Sequence, residues 1–282
     1  MERIWDDLIR TALKEDVGYG DITSELLFSH SHRSTAHIIA KAEGILSGLA
    51  LARRTFELLD ESVEVTELAE DGDYVEFGDC VMSLHGRTRK LLAGERLALN
   101  FLMWLSGVAT ATYRLQARLR EAGVKTQICE TRKTTPAWRF AEKKAVRHGC
   151  GLNHRFCLSD NILIKDNHLH FFAEPAEAVR RIKAQMRLID RVEVEVTQVA
   201  QIEPMLAAGA EILLFDNMTP EQVREGVKLV NGRARIEVSG GVTPDSVLDY
   251  AIEGVDVISL GYLTHSAPAL DFSMEFCGEV QE

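Results

Sequence analysis

The sequence predicts an α/β protein whose larger part is a parallel sheet wrapped by helices and closed as a barrel. Three observations carry that reading. Short aliphatic or β-branched runs recur through the second half of the chain; helical segments alternate with them; and each run ends in charged, polar or glycine residues. Buried strands joined by helical crossovers make a parallel sheet. Ligand groups at every strand end suit a barrel, whereas an open doubly wound sheet gathers them at one switch point.

Taken in order, the first ninety residues read as mixed α and β. A helix is predicted over 5–14 and strands over 35–42 and 63–68, with turns at Asp71-Gly72-Asp73 and Phe77-Gly78-Asp79. One long helical stretch then runs over 91–121. Between Leu97 and Ala111 its apolar residues wrap nearly all round, which calls for burial between layers. Beyond it, strands are predicted at 126–129, 161–164, 192–196, 211–215, 235–238 and 256–260. Helices are predicted over 175–186, 199–208, 220–229 and 244–251, three of them opening with or near proline, as first helical turns often do.

Composition narrows the function classes. The 282 residues include 43 acids against 32 Lys and Arg, for a net charge of −11. That balance works against a nucleic-acid binder, which needs a phosphate-neutralising surface. One basic island stands out: residues 132–155 hold seven Lys or Arg and a single acid, Glu142. Such an island gathers a small anionic ligand, or else forms a solvated helix face. Five scattered cysteines without a C-x-x-C fit neither a disulfide framework nor a zinc knuckle, and they suit a reducing compartment. No signal peptide or membrane span is visible, so a cytoplasmic location is expected.

The strand ends carry the chemistry. They read Glu130-Thr131-Arg132-Lys133, Lys165-Asp166-Asn167-His168, Glu195 within VEVEV, Asp216-Asn217, Ser239-Gly240-Gly241, and Gly261-Tyr262. The Ser239–Gly241 turn, followed by a helix predicted to open at Thr243-Pro244, and the Gly261 turn are the phosphate candidates. Alternation puts Glu193 and Glu195 on one face. Glu195 and Asp216 either balance neighbouring cations or hold Mg²⁺, which needs only one or two carboxylates. Lys165 has two readings, a Schiff-base amine or a cation for phosphate or carboxylate. His154 and His168 lack metal-ligand spacing, and no Walker loop, dinucleotide fingerprint or nucleophile elbow is present.

These residues, in this order, resemble a known family. Residues 130–136 (ETRKTTP), 153–155 (NHR), 163–168 (LIKDNH), 192–196 (VEVEV), 216–218 (DNM), 239–241 (SGG) and 264–266 (THS) are similar to the motifs of quinolinate phosphoribosyltransferases. Residues 12–24 (ALKEDVGYGDITS) and 94–100 (GERLALN) extend the resemblance over almost the whole chain. A related group linked to molybdenum transport shares the barrel but departs at the NHR and LIKDNH segments, both kept here.

The resemblance implies the type II phosphoribosyltransferase fold: an N-terminal α/β sandwich over 1–105, joined by 269–282, and an incomplete (β/α) barrel over 106–268. It implies transfer of phosphoribosyl from phosphoribosyl pyrophosphate to quinolinate with decarboxylation, a step of NAD biosynthesis. Arg132, Lys133, His154 and Arg155 would hold the two carboxylates, and Arg96 would reach in from the second subunit of a homodimer. Lys165 would contact the ribosyl diphosphate, Glu195 and Asp216 would bind the ribose and its Mg²⁺, and Ser239, Gly240, Gly241 and Gly261 would hold the 5′-phosphate. Lys133, Lys165, Glu195 and Asp216 would be the catalytic set.

Where the family shows glycine, this chain has Ala137, Cys150 and Cys157, and Trp138 replaces a smaller leucine. These departures keep a second acceptor in view, another pyridine or azole carboxylate. From other classes, a Schiff-base lyase using Lys165 and a non-catalytic pyridine-dicarboxylate binder are the competing readings.

Overall fold

Acidic residues at the start of the first helix and a lysine at its end match the helix dipole, and α1 spans Asp6–Val17. Asp21 caps the short α2 (Ile22–Leu27) by accepting the Ser24 N–H. There follow β1 (Arg33–Ala40), β2 (Gly44–Ile45), α3 (Leu49–Leu59), β3 (Glu64–Glu67), β4 (Tyr74–Val75), β5 (Cys80–Arg87) and the 34-residue α4 (Thr88–Glu121). The computed structural model describes residues 5–277. Within that span the chain forms two compact units, residues 5–113 with 140–150 and 267–277, and residues 114–139 with 151–266.

In the first unit an antiparallel sheet has the order last strand (Phe272–Cys277), β1, β5, β3. Alternate residues Ala36, Ile38 and Ala40 of β1 point into a core with Phe56, Met82 and Phe272. The expected α4 burial holds: every residue from Leu105 to Thr112 is buried, so all sides of the helix are covered there. The first unit gives way to the second at 113/114, inside α4; residues 140–150 belong to the first unit, and the last crossing precedes Ala267.

The second unit holds β6 (Gln127–Cys129), β7 (Ile162–Ile164), β8 (Val192–Val196), β9 (Ile212–Asp216), β10 (Arg235–Ser239) and β11 (Val257–Ser259) in a parallel sheet of order β6-β11-β10-β9-β8-β7. From β7 to β11 spatial order equals chain order, and β11 then returns to pair with β6, so first and last strands are neighbours. That is the topology of a barrel, not of an open sheet with a switch point. On its other side β6 makes an isolated parallel bridge, Cys129 to Leu152, and among the described residues β6 and β7 are not paired with each other. Six strands instead of eight make the barrel incomplete.

Helices clothe the strands where their periodicity predicts. Between β6 and β7, α5 (Arg139–His148) returns to the first unit. Further on come the single turn α6 (Asp166–Leu169), α7 (Ala176–Lys183), α8 (Ile202–Ala207), α9 (Pro220–Val230) and α10 (Tyr262–His265). α9 opens with a capping box between Thr219 and Gln222 and has Pro220 in its first turn, a terminus worth about 1 kcal/mol. The helix predicted over 244–251 does not form: only a 3₁₀ turn at Val247–Tyr250 is present. Among the described residues, no helix is long and apolar enough to cross a membrane.

Candidate active site

Because every barrel strand runs the same way, the residues that follow each carboxyl end gather at one mouth. A cavity of about 540 Å³ opens there, lined by Arg132, Lys133, His154, Arg155, Lys165, Glu195, Asp216 and the Ser239-Gly240-Gly241 turn, with Leu163 and Leu214 as its apolar wall. The lining is sorted by strand. Cations follow β6, β7 and the segment between them; acids end β8 and β9; the glycine turn ends β10.

The cationic side is held by buried wiring. Fully buried Glu130 accepts the His154 N–H at 3.1 Å, tying the segment after β6 to the one after the Leu152 bridge. Arg139, at the start of α5, donates to the Thr134 hydroxyl at 2.9 Å, the Phe156 carbonyl at 3.1 Å and the Arg132 carbonyl at 3.4 Å. Arg155 donates to the Asn161 carbonyl at 3.0 Å. Among the described residues, the buried Nε atoms of Arg132 and Arg155 have no hydrogen-bond partner. A buried donor without a partner costs about 1–3 kcal/mol, so two of them on one wall mark the seat of an anion. Burial, and then the charge of Arg132, pull the Arg155 guanidinium below its ordinary value. An arginine starts above about 12, so it stays cationic.

On the opposite side Lys165 donates to Glu195 at 3.0 Å. Burial pushes the Glu195 carboxyl above its ordinary value; Lys165 opposes the shift, while Asp216 and Asp166 add to it. The His168 ring accepts the Lys165 N–H at 2.9 Å, so the histidine of LIKDNH closes the turn that presents Lys165. At the glycine turn, Gly240 has φ of +81° and lies so close to Asn217 that a Cβ would meet its side chain at 2.6 Å. Only glycine fits there.

Beneath the cations, His154 Nε2 lies 3.4 Å from Glu193 and 3.5 Å from Glu237. Burial, then the neighbouring Glu193, push the Glu237 carboxyl up to about 7. Sequence patterning singled out neither Glu237 nor Arg139, and gave Glu130 no role beyond its place at a strand end. Glu237 had a visible signal, since it sits between Ile236 and Val238 just as Glu195 sits between valines.

Two expected site residues lie outside the cavity lining. Gly261 does not line the cavity; it backs onto Lys133, where a Cβ would come within 2.9 Å of Cδ, while Thr264 binds the Lys133 carbonyl at 2.8 Å. It therefore shapes the lysine's seat. Arg96 is exposed on α4 in the first unit, outside the cavity lining. The turn after Gly241 leads into a 3₁₀ turn at Val247–Tyr250 and no α-helix N-terminus, so the turn offers an anion only its own backbone. The basic island also divides. Lys143, Lys144 and Arg147 belong to α5 and the first unit, whereas Arg132, Lys133 and Arg155 converge on the cavity.

Residues 21–106 match the quinolinate phosphoribosyl transferase N-terminal domain, and residues 108–275 match the C-terminal domain of that family. The chain belongs to the quinolinate phosphoribosyl transferase family. It is 42% identical over 261 residues, 93% of its length and 89% of the relative's, to a protein of Bacillus subtilis named probable nicotinate-nucleotide pyrophosphorylase (carboxylating). It is 35% identical over 292 residues to a Nicotiana tabacum protein named quinolinate phosphoribosyltransferase (decarboxylating) 2a, mitochondrial, covering 97% of this chain and 82% of that one. The crystal structure of NadC from Streptococcus pyogenes superposes with a TM-score of 0.93 at 38% identity, covering 99% of both chains. Human nicotinic acid phosphoribosyltransferase, at 11% identity and a TM-score of 0.59 over 99% of this chain and 74% of its own, shares the fold.

Proposed function

We propose that the protein transfers phosphoribosyl from phosphoribosyl pyrophosphate to quinolinate, releasing pyrophosphate and CO₂ and forming nicotinate mononucleotide for NAD biosynthesis. One observation carries this reading: in a single cavity, two buried arginine Nε atoms without partners face a pair of strand-end acids and a glycine turn. Adjacent aromatic carboxylates call for guanidinium groups. A ribosyl diphosphate calls for backbone amides on its phosphate and for acids near its hydroxyls and cation. The two names borne by the relatives describe the same reaction written in opposite directions.

The residues supply positioning and charge. Arg132, Lys133 and Arg155 hold the dicarboxylate so that its ring nitrogen faces C1 of the ribose, and Lys165 meets the ribosyl diphosphate. The C1–oxygen bond to pyrophosphate breaks as the nitrogen–C1 bond forms, with positive charge building on the ribose near Glu195 and Asp216. A proton replaces the departing carboxylate, whose electrons the quaternised ring has accepted. Preorganised charge of this kind lowers a barrier without a protein nucleophile. The Lys165 Nζ is engaged by the Glu195 carboxylate at 3.0 Å, which favours this role over a Schiff base.

Glu195 and Asp216 fit Mg²⁺: they stand at adjacent strand ends, and burial plus the charge of Asp216 already disfavour the Glu195 carboxylate, a strain that a divalent cation relieves. Bound with the substrate, Mg²⁺ would neutralise the leaving diphosphate.

We also propose a homodimer in which Arg96 of the partner subunit completes the dicarboxylate seat. In support, Arg96 is exposed on α4, and Tyr19, Ile22, Leu26 and Leu27 leave an apolar edge in solvent around α2, the mark of a contact surface. The five free cysteines are in keeping with a cytoplasmic setting.

The test is direct. Protein, quinolinate, phosphoribosyl pyrophosphate and Mg²⁺ are mixed, and nicotinate mononucleotide and CO₂ are measured, with nicotinate as the alternative acceptor. Equimolar nucleotide and CO₂ from quinolinate is the expected result; nucleotide from nicotinate alone would overturn the assignment.

A further inference from the structure

Below the cationic wall lie three side chains that the transfer reaction leaves without a role. Glu193 and Glu237 are buried on the inner face of the barrel, on β8 and β10, and both reach the same nitrogen, His154 Nε2, at 3.4 and 3.5 Å. The other ring nitrogen, Nδ1, accepts the Arg155 backbone N–H at 2.8 Å. A nitrogen that accepts carries no proton of its own, so the ring hydrogen sits on Nε2, facing the two carboxylates. His154 is thus turned inward at both nitrogens, while the next residue sends its guanidinium into the cavity with a buried Nε awaiting a partner.

We propose that Glu193, with Glu237 beside it, is a positioning residue for the dicarboxylate seat: it accepts from Nε2 and fixes His154 as the Nε2–H tautomer, and His154 in turn fixes the Arg155 peptide and the aim of its guanidinium. In this arrangement the His154 ring is neutral. The link runs from barrel floor to ligand through one ring, from Glu193 through Nε2 and Nδ1 to the Arg155 N–H. Outer partners of this kind orient the groups that touch ligand, and small losses of orientation weaken binding selectively.

The proposal rests on the quinolinate reading, and its test separates the two. Glu193→Ala and Glu193→Gln are compared with the wild-type enzyme, with thermal melts to confirm folding. Glu193→Ala is expected to raise the quinolinate KM by roughly tenfold, the scale of one hydrogen bond at a charged site, and to leave the phosphoribosyl pyrophosphate KM within about twofold. Glu193→Gln, whose amide oxygen still accepts from Nε2, is expected to recover most of that loss. Nitrogen-15 spectra of the histidine-labelled wild type should show His154 as a neutral Nε2–H ring.

A parallel rise in both KM values, a glutamine variant no better than alanine, or an imidazolium or Nδ1–H signal would each overturn the proposal. So would Zn²⁺ held at the His154–Glu193–Glu237 cluster, because Nε2 cannot bind metal and keep its proton. Wild-type protein inactive with quinolinate would instead sink the reading of the reaction, leaving the tautomer to be judged from the spectrum alone.

Discussion

Arg132 shows what a single residue contributes at this site. Its Nε is buried without a partner, so its contribution to binding is the hydrogen bond it has yet to make. Arg132→Ala is therefore expected to weaken quinolinate binding by about 1.5–3 kcal/mol, roughly ten- to a hundredfold, and to change phosphoribosyl pyrophosphate binding much less. Calorimetric titration of each ligand checks this, and equal losses would refute the assignment. The departures from the family's glycines have a physical consequence at two positions. Ala137 and Cys150 have φ of +67° and +63°, a region costly to any residue with a Cβ. Cys150 follows the end of α5, where a left-handed glycine is the common stop. Replacing either by glycine is expected to stabilise the fold by about 1 kcal/mol, visible as a Tm higher by roughly 2–4 °C. A lower Tm would show that the side chain makes contacts worth more than the strain.

At the scale of elements, the barrel was legible because its strands and helices differ in period and because each strand end carries polar residues. VEVEV announced both its outward valines and its inward glutamates. β5 was not legible, for a specific reason. Val81 and Met82 are adjacent and both buried, and the pairing with β1 shifts register between Ile38 and Ile39. That irregularity erases the two-residue period on which a strand reading depends. The helix expected at Pro244 failed because proline marks a turn as readily as a helix start, and only packing decides between them. Arg139 was hidden in another way, counted as one more charge in a basic run. Its three bonds join the loop after β6 to the loop after the Leu152 bridge. Arg139→Lys is expected to behave like Arg139→Ala, each raising the quinolinate KM by about tenfold, because a single ammonium cannot span three diverging acceptors. A lysine variant with wild-type kinetics would show that charge alone suffices.

For the whole molecule, the open question is how many chains make one site. Arg96 stands on α4, in the unit that does not carry the cavity, and no spacing in the sequence ties it to Arg132; only the family resemblance singled it out. The proposed dimer gives that position a use and has a quantitative signature. Arg96→Ala damages the site of the neighbouring barrel, whereas Arg132→Ala damages the site of its own. A mixed dimer of the two variants then holds one site with both lesions and one with neither. Random assembly makes about half of all dimers mixed, so co-expressed variants should regain roughly a quarter of wild-type activity, although each alone is nearly inactive. Differently tagged copies allow the mixed species to be purified, and its activity should then approach about half of the wild-type value. If the mixture is no more active than the separate variants, Arg96 does not act across a subunit boundary, and Arg132, Lys133 and Arg155 must hold the dicarboxylate without it.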